Sequence, residues 1–137
     1  MSLFNVFNIS GSALSAQSVR LNTISSNLAN ADMVSGNPDD VYRARYPVFS
    51  SAMEMAAMGQ DATGVRVSDI VESTLEARKE YAPGNPMADE DGYIYRPNID
   101  SVQEMANMIS ASRSYQSSVE AMNTTKQLIL RTINLGR

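Results

Sequence analysis

Asp89-Glu90-Asp91-Gly92 is the densest acidic cluster in the sequence, and calcium binding is the chemistry such a cluster could serve. An EF-hand loop places ligands at positions 1, 3 and 5, a glycine at 6 and a glutamate at 12. Aligned on Gly92, the four ligand positions hold Met87, Asp89, Asp91 and Asn98, so two are of the wrong type and a solvated turn is the better reading. Asp39-Asp40, beside Pro38, reads as a loop in the same way. Paired carboxylates can also hydrolyse glycosides, but that chemistry needs a cleft between them. The sequence has no cysteine and no histidine, which removes thiolate nucleophiles, zinc–thiolate sites, imidazole bases and the Ser-His-Asp triad. Carboxylates, Lys79, Lys126, tyrosines, hydroxyls and arginines remain. The expectation is a protein that is not an enzyme, with no catalytic residue, no metal and no cofactor.

The elements that would have to position any site are two heptad-patterned ends. Phe7, Leu14, Leu21 and Leu28 recur every seven residues, with Leu3, Ser10, Gln17, Ile24 and Ala31 as the companion row. That spacing predicts a helix over residues 1–31 with an a/d seam. Twelve of those 31 residues are Ser or Asn, which compete for backbone hydrogen bonds and weaken an isolated helix. Toward the other end, Met105, Ser112, Val119, Lys126 and Ile133 form one row and Met108, Tyr115, Met122 and Ile129 the other, with Ile109 and Leu130 widening the stripe. Ser101 and Glu104 fit a capping box, and Gly136 is a plausible stop. Residues 101–135 as one helix would run about 50 Å.

The middle, residues 32–100, reads as a small β-rich unit. Val41 to Phe49 suits an edge strand, given Pro47. Met53 to Gly64 suits a short helix or a mobile loop, Gly64-Val65-Arg66-Val67 opens a strand, and Ser73 to Tyr81 fits either strand or helix. Pro83-Gly84-Asn85-Pro86 is a turn, and Asp91-Gly92 turns into a strand at Tyr93-Ile94-Tyr95. The expected fold is therefore α+β. A coiled-coil-like pair of terminal helices, 1–31 and 101–137, packs as one unit around the 32–100 segment.

The net charge of -4 is unevenly spread: +1 over residues 1–31, -8 over 32–104 and +3 over 105–137. An acidic middle argues against nucleic-acid binding. No run of 18 apolar residues is present, so no membrane span is expected. The start lacks a basic n-region, which points to a chain that stays in the cytoplasm or leaves without a cleaved signal. A helical hairpin in a monomer would explain an apolar stripe. The polar interruptions at Ser10, Gln17, Ser112 and Lys126, and helix faces almost free of charge, favour assembly instead.

Ser18 to Ala31, and above all Asn27-Leu28-Ala29-Asn30-Ala31, resembles the N-terminal signature of bacterial flagellar axial proteins. Tyr81 to Tyr93 and Met105 to Gln116 narrow the resemblance to short basal-body rod proteins of the proximal rod. Many axial proteins follow the signature with a threonine and then Gly-Tyr; here Asp32 leads through Met33-Val34-Ser35-Gly36-Asn37-Pro38 to Tyr42-Arg43. The resemblance implies a structural subunit of the rod, exported through the flagellar type III apparatus without a cleaved signal. It would polymerise across the periplasm into the drive shaft, with its terminal helices forming the inner tube. Implied partners are copies of the chain, the rod proteins FlgB, FlgF, FlgG and FliE, and the export apparatus. A non-polymerising type III secreted or chaperone-like helical protein is the competing class. The heptad rows and the signature together give a candidate assembly interface. On the first helix it comprises Phe7, Leu14, Leu21, Ile24, Asn27, Leu28 and Asn30, and on the second Met105, Met108, Tyr115, Val119, Met122, Ile129 and Ile133.

Overall fold

A computed structural model describes residues 3–52 and 64–136. The expectation for Met53 to Gly64 lies, Gly64 apart, outside them. Among the described residues two long helices, α1 (Leu3–Asn30) and α2 (Ser101–Leu135), flank four strands in sequence: β1 (Arg45–Ser51), β2 (Val65–Glu72), β3 (Arg78–Tyr81) and β4 (Tyr93–Arg96). A 3-10 turn, Pro38–Asp40, precedes β1. The α+β architecture expected from the heptad ends and the turn-rich middle is the one observed.

α2 starts differently from the capping-box pattern. The Asp100 carboxylate, not Ser101, accepts from the backbone N–H of Val102 (2.9 Å) and Gln103 (3.2 Å), so Asp100 is the N-cap. Its carbonyl takes the first helical bond, from Glu104 N–H at 2.9 Å. Glu104 is one turn in and faces the protein interior, so it cannot fold back over the helix end. At the far end, Gly136 N–H closes on Ile133 O at 3.3 Å.

β1 pairs with β2, and β3 with β4, in separate two-stranded sheets. A two-stranded sheet leaves each strand an outer edge, and Pro47, which has no N–H to donate, is tolerated there. The ambiguous stretch Ser73 to Tyr81 resolves into an irregular segment followed by β3. The β3–β4 hairpin is antiparallel, with Lys79 opposite Tyr95 and Tyr81 opposite Tyr93. Ser35 bridges to the other edge of β4, exchanging both backbone hydrogen bonds with Tyr95 at 3.0 and 2.8 Å.

Two compact units are present. One comprises Met1–Leu21, Pro47–Asp69 and Ser110–Arg137; its buried residues, among those described, are Ser10, Ala16, Ala111 and Thr125. Gly11 lies in ordinary contact range of Met122 there. The other comprises Asn22–Tyr46 and Ile70–Ile109. It contains the cluster of Ala31, Ala44 and Ile99 with Tyr42 packed against it, and the fully buried Ile94.

In that second unit the acidic Asp89–Gly92 stretch organises its own hairpin. The Asp89 carboxylate accepts from Tyr93 N–H (2.7 Å), Asp91 N–H (3.1 Å) and Tyr95 O–H (3.2 Å). The Tyr93 amide above all, then the Tyr95 hydroxyl, the Asp91 amide and the charge of Lys79, hold this carboxyl below its usual value against the opposing effect of desolvation. Gly92 turns with φ of 80°, and a Cβ there would meet Pro83 Cβ and Tyr81 Cε2 at 3.1 Å.

Gly92→Ala is expected to cost about 1–2 kcal/mol, since an L side chain at positive φ is strained even without the crowding, and a urea midpoint measures it. Asp89 is expected to titrate below 3.8 in an NMR carboxyl titration. Because its folded value is depressed, its contribution to stability is present above 3.8 and fades as the pH falls through the lower folded value. Asp89→Asn should abolish that acid-side dependence.

Candidate assembly surface and its buried anchor

Which face of each helix turns inward decides which residues remain for partners. On α1, Ser10, Ile24 and Ala31 of the companion row are buried and Gln17 is half-buried, whereas Leu14, Leu21 and Leu28 are half-buried and Phe7 is exposed. On α2 the inward row is Glu104, Ala111, Ser118 and Thr125, at the same spacing of seven. The sequence reading did not single out this row, because its members are small or polar. Of the α2 residues it did single out, Met108, Val119, Met122 and Ile129 are half-buried, and Met105, Tyr115 and Ile133 are exposed.

The remaining surface of α1 is almost free of charge: Asn8, Ser15, Ser18, Asn22, Ser25 and Ala29 are exposed. α2 instead exposes large apolar side chains. Val102 (72%), Met105 and Ile109 (58%) lie on its first three turns, and Leu128, Leu130, Ile133 and Leu135 on its last. Two shallow surface depressions have volumes of about 380 and 620 Å³, and the second runs along α2 between Tyr115 and Gln127. Among the described residues no group of three acidic, histidine or cysteine side chains gathers around a common point. No helix among them is long and apolar enough to cross a membrane.

The second unit is organised around Asn27, which has no exposed surface at all. Its Oδ1 accepts from Arg45 N–H at 2.9 Å and from Tyr42 O–H at 3.0 Å. Its Nδ2 donates to Arg45 O at 3.0 Å and to Glu104 Oε2 at 3.1 Å. Both donors and both acceptor positions of the amide are therefore used. The Tyr42 oxygen also lies 3.1 Å from Ser26 Oγ. Glu104 is 2% exposed, and its Oε1 accepts from Asn107 Nδ2 at 3.3 Å. Burial, then the nearby Glu104 carboxylate and Tyr42, raise the pKa of Tyr46, which keeps that phenol neutral.

Asn30 sits half-buried one turn on, donating from Nδ2 to Ser26 O at 2.8 Å. The Arg45 guanidinium reaches outward to Glu72 at 3.0 Å, an exposed ion pair of small worth. The sequence offered no signal for Tyr42 or for the Arg45 peptide group. Glu104 fits a capping box in the sequence, which gives no sign of its burial against Asn27.

Family models match both ends of the chain: "Flagella basal body rod protein" over residues 7–36 and "Flagellar basal body rod FlgEFG protein C-terminal" over residues 90–135. The chain is similar to the "Flagellar basal-body rod protein FlgC" of Yersinia enterocolitica, 53% identical over 137 residues with all of both chains covered. It is 50% identical to that of Salmonella typhimurium over the same length and coverage. It is 37% identical to that of Bacillus subtilis over 150 aligned positions, again with both chains fully covered.

Asn27→Ala would orphan the Arg45 peptide group and one Glu104 oxygen in a dry site. The expected loss is about 3 kcal/mol, read from urea unfolding at unchanged m. Glu104→Gln, which must face two amide donors with only one oxygen, is expected to lose about 1–2 kcal/mol.

Proposed function

Since this chain belongs to the FlgC family of flagellar basal-body rod proteins, we propose that it polymerises through its terminal helices into the proximal rod and transmits torque as part of the drive shaft. As a family member it is a structural subunit of the rod that assembles with other rod components. On this proposal the chain is exported through the flagellar type III apparatus without a cleaved signal and assembled across the periplasm. Its neighbours there are copies of itself and FlgB, FlgF, FlgG and FliE.

One observation carries the polymer reading. The inward row of α2 is small or polar, while Val102, Met105, Ile109, Leu130 and Ile133 of the same helix point outward. A helix that served only its own chain would bury its large apolar residues first. The outward rows 102/109/116/123/130 and 105/112/119/126/133 repeat every seven residues, as the inward row does. The second lies about 100° around the helix from the inward row, and the first about 160° on the other side, nearly opposite it, at 3.6 residues per turn. A helix with two such seams suits an array in which it packs against more than one helical neighbour. Phe7, Leu14, Leu21 and Leu28 extend the proposed interface on α1, with Tyr115, Val119, Met122 and Ile129 on α2.

The unit of Met1–Leu21, Pro47–Asp69 and Ser110–Arg137 buries, among its described residues, two alanines, a serine and a threonine. Such burial is small against an ordering cost of about 1–2 kcal/mol per residue. The reading is that this unit completes its order on assembly, as a segment that folds on binding does.

Val102→Asp and Ile109→Asp, at exposed sites, should change folding stability by less than about 0.5 kcal/mol. They should also remove the chain from detergent-extracted basal bodies and abolish motility; normal incorporation of both would sink the proposed interface. Hydrogen exchange on the dilute chain should show protection in 22–46 and 70–109 and fast exchange in 3–21 and 110–136. Equal protection throughout would contradict coupled ordering.

A further inference from the structure

A hydroxyl on α1 joins the helix to the outer edge of β2. Ser12 Oγ donates to Ile9 O at 2.8 Å and accepts from Val65 N–H at 3.1 Å. All three residues belong to the unit of Met1–Leu21, Pro47–Asp69 and Ser110–Arg137. The neighbouring Gly64 O takes Ala52 N–H at 2.8 Å, which closes the β1–β2 pair. Successive residues of a strand turn their backbone groups to opposite sides, so the Val65 amide faces away from β1. Ser12 supplies there the acceptor that a further strand would supply. Gly64 makes the approach possible: a Cβ on it would stand 2.7 Å from Ser12 Oγ.

The aim of this hydroxyl depends on the helix. Its proton is committed to a carbonyl three residues back, which lies within reach only when residues 9–12 form a helical turn. Its lone pairs are thereby directed at Val65. The turn is weak by composition, since Asn8, Ser10 and Gly11 are poor helix formers. Packing does not require the glycine, because a Cβ on Gly11 would meet Met122 Cε at an ordinary 3.6 Å. We propose that Ser12 makes the start of β2 a sensor of helix order: β2 is latched to α1 only while the turn 9–12 is helical. The latch lies within one unit and acts in the single chain, whether or not assembly completes the order of α1.

Amide exchange of the dilute full-length chain tests the latch. Gly11→Ala strengthens the turn without crowding it, and Ser15→Gly, at an exposed position one turn on, weakens it. The closed-to-open ratio at the Val65 amide should rise roughly two- to fivefold in the first variant. It should fall about twofold in the second. In a Ser12→Ala background Val65 should exchange at one fast rate, whichever residue stands at 11 or 15. An unchanged Val65 ratio across wild type, Gly11→Ala and Ser15→Gly would overturn the proposal. So would a ratio that still follows helix strength once the Ser12 hydroxyl is gone. If Ser15→Gly unfolds α1 outright, Gly11→Ala against the wild type, with and without Ser12, gives the same decision.

Discussion

The side-chain amide of Asn27 stands in for a peptide group. It exchanges an N–H and a C=O with Arg45, the first residue of β1, as a neighbouring strand would, and does so from the middle of a helix turn. Its second N–H reaches Glu104, and its second acceptor position is filled by Tyr42. One buried side chain thus joins the end of α1, the start of β1 and the start of α2. Asparagine is a poor helix former, and a fully buried amide is tolerable only when every donor and acceptor is paired. That condition is met here, and it constrains the neighbours strongly: none of the partners can move without orphaning the amide.

The consequences spread outward by short links. Glu104 must face inward to meet Asn27, so it is lost to the helix terminus, and Asp100 caps α2 instead. Ala44, next to Arg45, accepts from Ser73 N–H at 2.7 Å and belongs to the buried cluster with Ala31 and Ile99. Ile99 O in turn receives the Arg78 guanidinium at 3.4 Å, which links the β4–α2 connection to the β3–β4 hairpin. The hairpin is closed at its other end by Asp89, whose carboxylate does the work that a bound cation would do in a calcium loop: it gathers the turn around a centre of charge.

Much of this was legible in the sequence. Heptad spacing located both helices to within a residue or two, and Pro83-Gly84-Asn85-Pro86 and Asp91-Gly92 located the turns, because turn residues act through local backbone geometry. The inward face was not legible. Periodicity was sought in large apolar residues, whereas the row that turns inward on α2 is Glu104, Ala111, Ser118 and Thr125. A hydrophobic pattern finds the core only when burial of bulk drives the packing; here close approach of small residues drives it, and the bulk remains outside. The Asn27-Leu28-Ala29-Asn30-Ala31 motif was recognisable by resemblance, but nothing in its letters said that the first asparagine addresses a strand peptide 18 residues on.

The uncharged face of α1 bears on how the chain meets its neighbours in time. Asn8, Ser15, Ser18, Asn22 and Ser25 create no field beyond contact distance. Patches without charge complementarity associate at about 10⁵–10⁶ M⁻¹s⁻¹, without the acceleration that opposite charges supply at low salt. The face itself therefore supplies no steering. Hydroxyls and amides recognise a partner only at hydrogen-bond range, so productive capture depends on shape and hydrogen-bond match after collision. Such a face discriminates by how long a neighbour stays rather than by how quickly it arrives.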